Sequence, residues 1–154
     1  MYQRILVPID GSPTSQQSLA EAIRLAKLTG GQVRLLHMVD AQSLTMTMGA
    51  YGAFTGDIYD DMQKEGQKIL EEGRQQALDA GVAADVALDQ GVRSRLADVV
   101  LEQVKTWPAD LVVLGTHGRR GVSRMLLGSD AEQVARSSPV PVLLVRGKDP
   151  LPLG

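Results

Sequence analysis

"LVVLGTHGRRGVSRMLLGSDAEQVA" spans Leu111 to Ala135 and reads as a strand, a loop and a helix in that order. Leu111 to Leu114 is wholly apolar, the pattern of a parallel strand buried on both faces. The run breaks at Gly115, Gly118, Gly121 and Gly128, and helical patterning resumes over 129–137. Between Leu111 and Ser129 there is no carboxylate, although the 154-residue chain has a formal net charge of -2. Arg119, Arg120 and Arg124 give this one loop a positive charge that the overall composition lacks.

Working outward, the same alternation repeats along the chain. Ile5 to Ile9 is a short apolar run that stops at Asp10-Gly11. Ser12 then suits an N-cap and Pro13 the first helical position, with Leu19, Ala22, Ile23 and Ala26 at helical spacing and Gly30-Gly31 as the stop. A second strand is predicted over 33–39, a long helix over 57–80, and a half-buried edge strand over 82–88. A third helix around Leu96 to Val104 stops at Pro108, and a last strand covers 140–145. The order βαβαβαβαβ predicts a single-domain, open, parallel five-stranded sheet with helices on both faces, a Rossmann-like α/β fold. The expected domain is 1–147, with a long loop at 40–56 and a tail at 148–154.

Composition narrows the functional classes. With 44% hydrophobic and 22% charged residues the chain reads as a globular domain. Aromatics are only 3%, too few for the stacking platform of a single-strand nucleic-acid binder. Net acidity with one local basic loop argues against duplex binding. There is no cysteine, which excludes disulfides, cysteine zinc sites and thiol catalysis. No apolar run is long enough to insert in a membrane, and the strand pattern starts at the N-terminus, so a cytoplasmic protein is expected.

Ligands in such sheets bind outside the carboxyl ends of the strands, where strand order reverses. The loops after the first and fourth strands carry the suspicious residues, and they face one crevice if those strands are neighbours. Gly115, Gly118 and Gly128 allow close backbone approach to a phosphate, and Ser129 offers a helix N-terminus. Neither the P-loop string nor Gly-x-Gly-x-x-Gly occurs. On spacing alone the glycines are equally well read as turn residues and the arginines as a solvated loop.

The string Gly115-x2-Gly118-x9-Gly128-Ser129 resembles the nucleotide motif of the universal stress protein family, ATP-binding branch. "ILVPIDGS" (5–12), "ADLVVLGTHGRRG" (109–121) and "PVPVLLVR" (139–146) are similar to that family's blocks, in the same order. The resemblance implies the adenine nucleotide alpha hydrolase-like fold and ATP as ligand, with Mg2+. It implies that Gly115, Gly118, Gly128 and Ser129 hold ribose and phosphates, with Thr116, His117, Arg119, Arg120, Gly121 and Ala131 along the path. Pro8 and Asp10 would lie near the ribose, and the Val39 backbone at the adenine edge. Asp130 departs from the family pattern and bears on phosphate and metal contact.

Other features have plainer readings. His37 is read as a satisfied core residue and Trp107 as a packing anchor. Asp60, Asp61, Glu65, Glu71 and Glu72 are read as the wet face of the long helix. The 40–56 loop, with Met46, Met48, Tyr51 and Phe54, is a candidate lid or partner contact.

The function expected is an ATP-binding regulatory, stress-response protein that controls a partner, a membrane transporter being one candidate. It would act as a homodimer, or a higher oligomer, through strand 140–145. The alternatives are a slow ATPase or self-phosphorylating enzyme, and a nucleotide-free dimeric interaction module. No catalytic residue is assigned.

Overall fold

The computed structural model describes residues 1–40, 56–90, 95–117 and 127–147. Its elements are β1 (Arg4–Pro8), α1 (Pro13–Thr29), β2 (Gln32–Met38), α2 (Gly56–Asp79), β3 (Ala84–Asp89), α3 (Leu96–Thr106), β4 (Leu111–Gly115), α4 (Ser129–Ser137) and β5 (Val142–Val145). All strands pair in parallel in the order β3-β2-β1-β4-β5. The chain thus winds outward from β1 in one direction, then restarts at β4 on its other side. The reversal falls between β1 and β4, the strands whose loops drew attention in the sequence.

Alternating side chains divide the core between two layers. Ile5, Val7, Val33, Leu35 and Val113 pack with Leu19, Ala22 and Ile23 of α1 and Leu70 and Ala77 of α2. Leu6, Leu36, Val112 and Leu114 pack on the other face with Val100 and Val104 of α3 and Ala131 and Val134 of α4. Leu111 to Leu114 is buried throughout, as a central strand covered on both sides must be.

Local chemistry sets the element ends. The Ser12 hydroxyl caps α1 by accepting from the Ser15 amide, Pro13 follows at the first helical position, and Gly30 closes the helix at φ 71°. The last strand begins later than expected, at Val142. Ser138 Oγ takes the Val140 amide at 3.2 Å and donates to the Val140 carbonyl at 2.8 Å, so Val140 is held in a turn. Pro141 still offers its carbonyl to the Val112 amide.

At the amino ends of the strands the elements are tied by polar contacts. Asp110 accepts the backbone amides of Gln3 and Arg4 at 2.9 and 3.0 Å. Arg4 donates to the Trp107 carbonyl, and the Thr29 hydroxyl donates to the Tyr2 carbonyl. Arg34 forms a bidentate pair with Asp85 at 2.7 and 2.9 Å and lies 4.7 Å from the centre of the Trp107 ring. Trp107 is 7% exposed, so the expected anchor is a polar crossroads as well as an apolar plug.

Candidate functional site

The carboxyl ends of β1, β2 and β4 open into a cavity of about 680 Å³, within the range of small-molecule sites. Pro8, Asp10, Val39, Gly115, Thr116, His117, Gly128, Ser129, Asp130 and Ala131 all line it. Residues from three separated segments are brought together because β1 and β4 are neighbours. Gly118, Arg119, Arg120 and Gly121, with Arg124 and most of the 40–56 loop, lie outside the described residues.

The wall at α4 is set by backbone. The Gly128 amide donates to the Thr116 carbonyl at 2.9 Å, tying the two ends of the glycine-arginine excursion together. A Cβ at Gly128 would stand 2.9 Å from that same carbonyl, so glycine is required for this closure. Gly128 is also the N-cap of α4, and no side chain caps the first turn. The N-terminal amides of α4 therefore present their partial positive charge at the cavity wall. Nearby, Nδ1 of His117 is buried with no hydrogen-bond partner among the described residues.

Three of the lining residues also do structural work. A Cβ at Gly115 would meet Thr14 Cγ2 at 2.8 Å, so this glycine lets α1 approach β4. The Val39 amide donates to the Asp89 carbonyl at 2.9 Å, because the β2–β3 ladder runs one residue past the strand end. Its carbonyl is what Val39 can offer a base. Asp10 accepts the Ser12 amide at 2.9 Å through Oδ1, so its carboxylate also shapes the start of α1.

His37 is 8% exposed and its Nδ1 lies 2.9 Å from the Ile9 carbonyl, the satisfied core residue expected. A carbonyl only accepts, so Nδ1 carries the proton. Yet His37 also borders the cavity, holding the peptide that precedes Asp10. A Cβ at Gly66 would lie 2.6 Å from its Cδ2, so the absent side chain lets α2 settle on this ring.

The wall formed by α2 was missed. Ile58, Asp61, Met62 and Glu65 line the cavity. Their i, i+3, i+4, i+7 spacing places them on one helix face, a signal present in the sequence. Asp60, Asp61, Glu65, Glu71 and Glu72 are exposed as expected, but two of them border a cavity as well as bulk water. Met38, Asp40 and Leu96 add to the lining.

A parallel sheet whose strand order reverses beside a cavity at its carboxyl ends defines an open, doubly wound α/β protein with its candidate site at the switch point. Residues 1–146 match the model of the universal stress protein family. The chain is 34% identical over 151 residues to the universal stress protein YxiE of Bacillus subtilis, covering 95% of this chain and 100% of that one. The chain belongs to the universal stress protein family. Its fold matches that of protein MJ0577 of Methanocaldococcus jannaschii with a TM-score of 0.77, at 24% identity over 97% and 99% of the two chains. A universal stress protein solved in complex with cAMP matches with a TM-score of 0.70, at 25% identity over 96% and 99% of the chains.

Proposed function

We propose that this chain is an adenine-nucleotide-binding regulatory module, with ATP and Mg2+ as its ligand in the switch-point cavity. The observation that carries the reading is the convergence of Asp10, Val39, Thr116, Gly128 and Ser129 on one cavity with an uncapped helix N-terminus. The cAMP complex of a similar protein supports an adenine nucleotide as the class of ligand. The Val39 carbonyl is an acceptor for the adenine amino group, the Asp10 carboxylate for a ribose hydroxyl. The α4 amides and Ser129 hydroxyl meet the phosphates, with Arg119, Arg120 and Arg124 as counter-charges. Gly118, and Gly121 after the arginines, let the backbone approach.

Efficient hydrolysis would need an oriented water and a base within reach of it. We infer a binding module whose nucleotide state governs a protein partner, with slow hydrolysis as the alternative. A transporter's cytoplasmic part is a candidate for that partner, and the 40–56 loop is the contact proposed. Self-association through β5 belongs to the same reading, since β5 is an edge strand with Leu143 38% exposed.

Native mass spectrometry of the purified protein, followed by a thermal shift with ATP, tests this reading. At a hundredfold excess over Kd, binding stabilises the fold by about 2.7 kcal/mol, a rise in Tm of roughly 5–10 °C. Gly118→Val should abolish that rise by blocking the phosphates. A variant that keeps the full shift would remove the glycine loop from the site, and a wild type with no shift would reject the nucleotide reading.

A further inference from the structure

The chain has no cysteine, so its sulfur chemistry rests on six methionines. Among the described residues, Met1 stands 90% exposed ahead of β1, whereas Met38 and Met62 are half-buried and both line the switch-point cavity. They reach it from different walls. Met38 is the last residue of β2, and Met62 stands in α2, one turn after Ile58. Ile58 and Leu96 line the same cavity, so the two thioethers belong to the apolar part of its surface. Met46 and Met48 follow β2 in the sequence and Met125 precedes α4, all outside the described residues.

Leucine would give an equally apolar wall with no reactive atom. A thioether is apolar and adaptable, and a peroxide converts it into a polar group. The sulfur gives an electron pair to one oxygen of hydrogen peroxide, and an S–O bond forms as the O–O bond breaks. The other oxygen leaves with both peroxide protons as water, so sulfur loses two electrons and the peroxide gains them. The sulfoxide oxygen is a hydrogen-bond acceptor that water satisfies in an empty cavity. Against the apolar face of a ligand it is desolvated without a partner, and binding is weakened.

We propose that Met38 and Met62 form a reversible oxidation site, through which peroxide turns the apolar wall of the cavity polar and expels its ligand. Methionine sulfoxide reductases, one for each sulfoxide epimer, restore the thioethers. The modification site stands on the cavity lining alone. Its effect on a ligand rests on the adenine-nucleotide reading above.

The test exposes the full chain to dilute hydrogen peroxide, with and without ATP, and maps sulfoxide at each methionine by peptide mass spectrometry. Met1 is the internal reference for free access. Met38 and Met62 should both convert in the ligand-free protein. ATP at about tenfold excess over Kd should slow them about fivefold or more and leave Met1 unchanged. Calorimetry then compares the ATP affinity of each protein before and after peroxide. Wild type should lose about tenfold and recover it with reductases for both epimers. A double variant, Met38→Leu with Met62→Leu, should lose less than about twofold from its own starting affinity, with Met46, Met48 and Met125 still oxidisable. Met38 and Met62 unconverted when Met1 is fully oxidised would overturn the site. Unchanged wild-type affinity after conversion of both, an equal loss in the double variant, or loss of the fold by circular dichroism would overturn the switch. Absence of ATP binding by the untreated protein would instead reject the nucleotide reading and the switch with it, while the sulfoxide map still decides the modification site.

Discussion

The two ends of the sheet are built from the same strands and treated in opposite ways. At the amino ends, Asp110 satisfies two backbone amides, Arg4 reaches the Trp107 carbonyl, and Arg34 is held by Asp85 beside the indole. At the carboxyl ends the elements separate around a cavity, α4 starts without a side-chain cap, and a histidine nitrogen is buried without a partner among the described residues. At the open end the ties are mainly backbone ones, such as the Val39 amide to the Asp89 carbonyl and the Gly128 amide to the Thr116 carbonyl. The side-chain ion pair and the arginine–indole contact across the sheet gather at the amino ends, while the carboxyl ends surround the cavity.

That contrast can be broken by substitution, beginning with the closed end. Trp107→Ala removes a buried aromatic ring together with the Arg34 and Arg4 guanidinium groups' contacts to it, at 4.7 and 5.8 Å from its centre, and should cost about 3–5 kcal/mol in chemical denaturation. Nucleotide affinity of the molecules that remain folded should be unchanged. Asp110→Ala, which strips the acceptor from the Gln3 and Arg4 amides, should cost about 1–3 kcal/mol, again with ligand affinity intact. A loss of affinity without a loss of stability in either variant would erase the distinction between the ends.

At the sheet edge, Leu143 faces outward, whereas Val142 and Leu144 pack on the core layer of α3 and α4. Leu143→Lys should therefore weaken self-association in sedimentation by about tenfold or more while the monomer stays folded. At the open end, Ser129→Ala should change stability by less than about 0.5 kcal/mol. The same variant should weaken nucleotide binding by about fivefold to tenfold, the loss of one hydrogen bond to a charged group. A reversed pattern, with Ser129 important for folding and silent in binding, would place α4 among the structural elements.

Much of this was legible in the residues. Ser12-Pro13 and Gly30 bound α1 because capping is local chemistry, and Leu111 to Leu114 announced a central strand by lacking any polar residue. The loops after β1 and β4 named the two strands that meet. What hid was whatever depends on packing between elements. Gly115 reads as a ligand glycine in sequence, and only the approach of Thr14 shows its steric purpose. The Val39 amide is claimed by Asp89, fifty residues away, through a ladder that no local pattern reveals. Arg34 lies in an apolar strand, and its partners come from β3 (Asp85) and from α3 with its C-cap (Gln103 and Trp107). The α2 wall was written in the spacing of Ile58, Asp61, Met62 and Glu65, but it looked like an ordinary amphipathic boundary until the helix was set against β2.

The central claim is that an adenine nucleotide occupies the open end and leaves the closed end untouched. Amide chemical shifts of the labelled chain, followed during titration with magnesium-bound ATP, test it directly, because Trp107 supplies an indole reporter at the closed end. The largest changes should fall on Asp10, Thr116, Gly128, Ser129 and Ala131, with the Gln3 amide and the Trp107 indole N–H unmoved. No change at the open end, or changes centred on Trp107 and Asp110, would contradict the account.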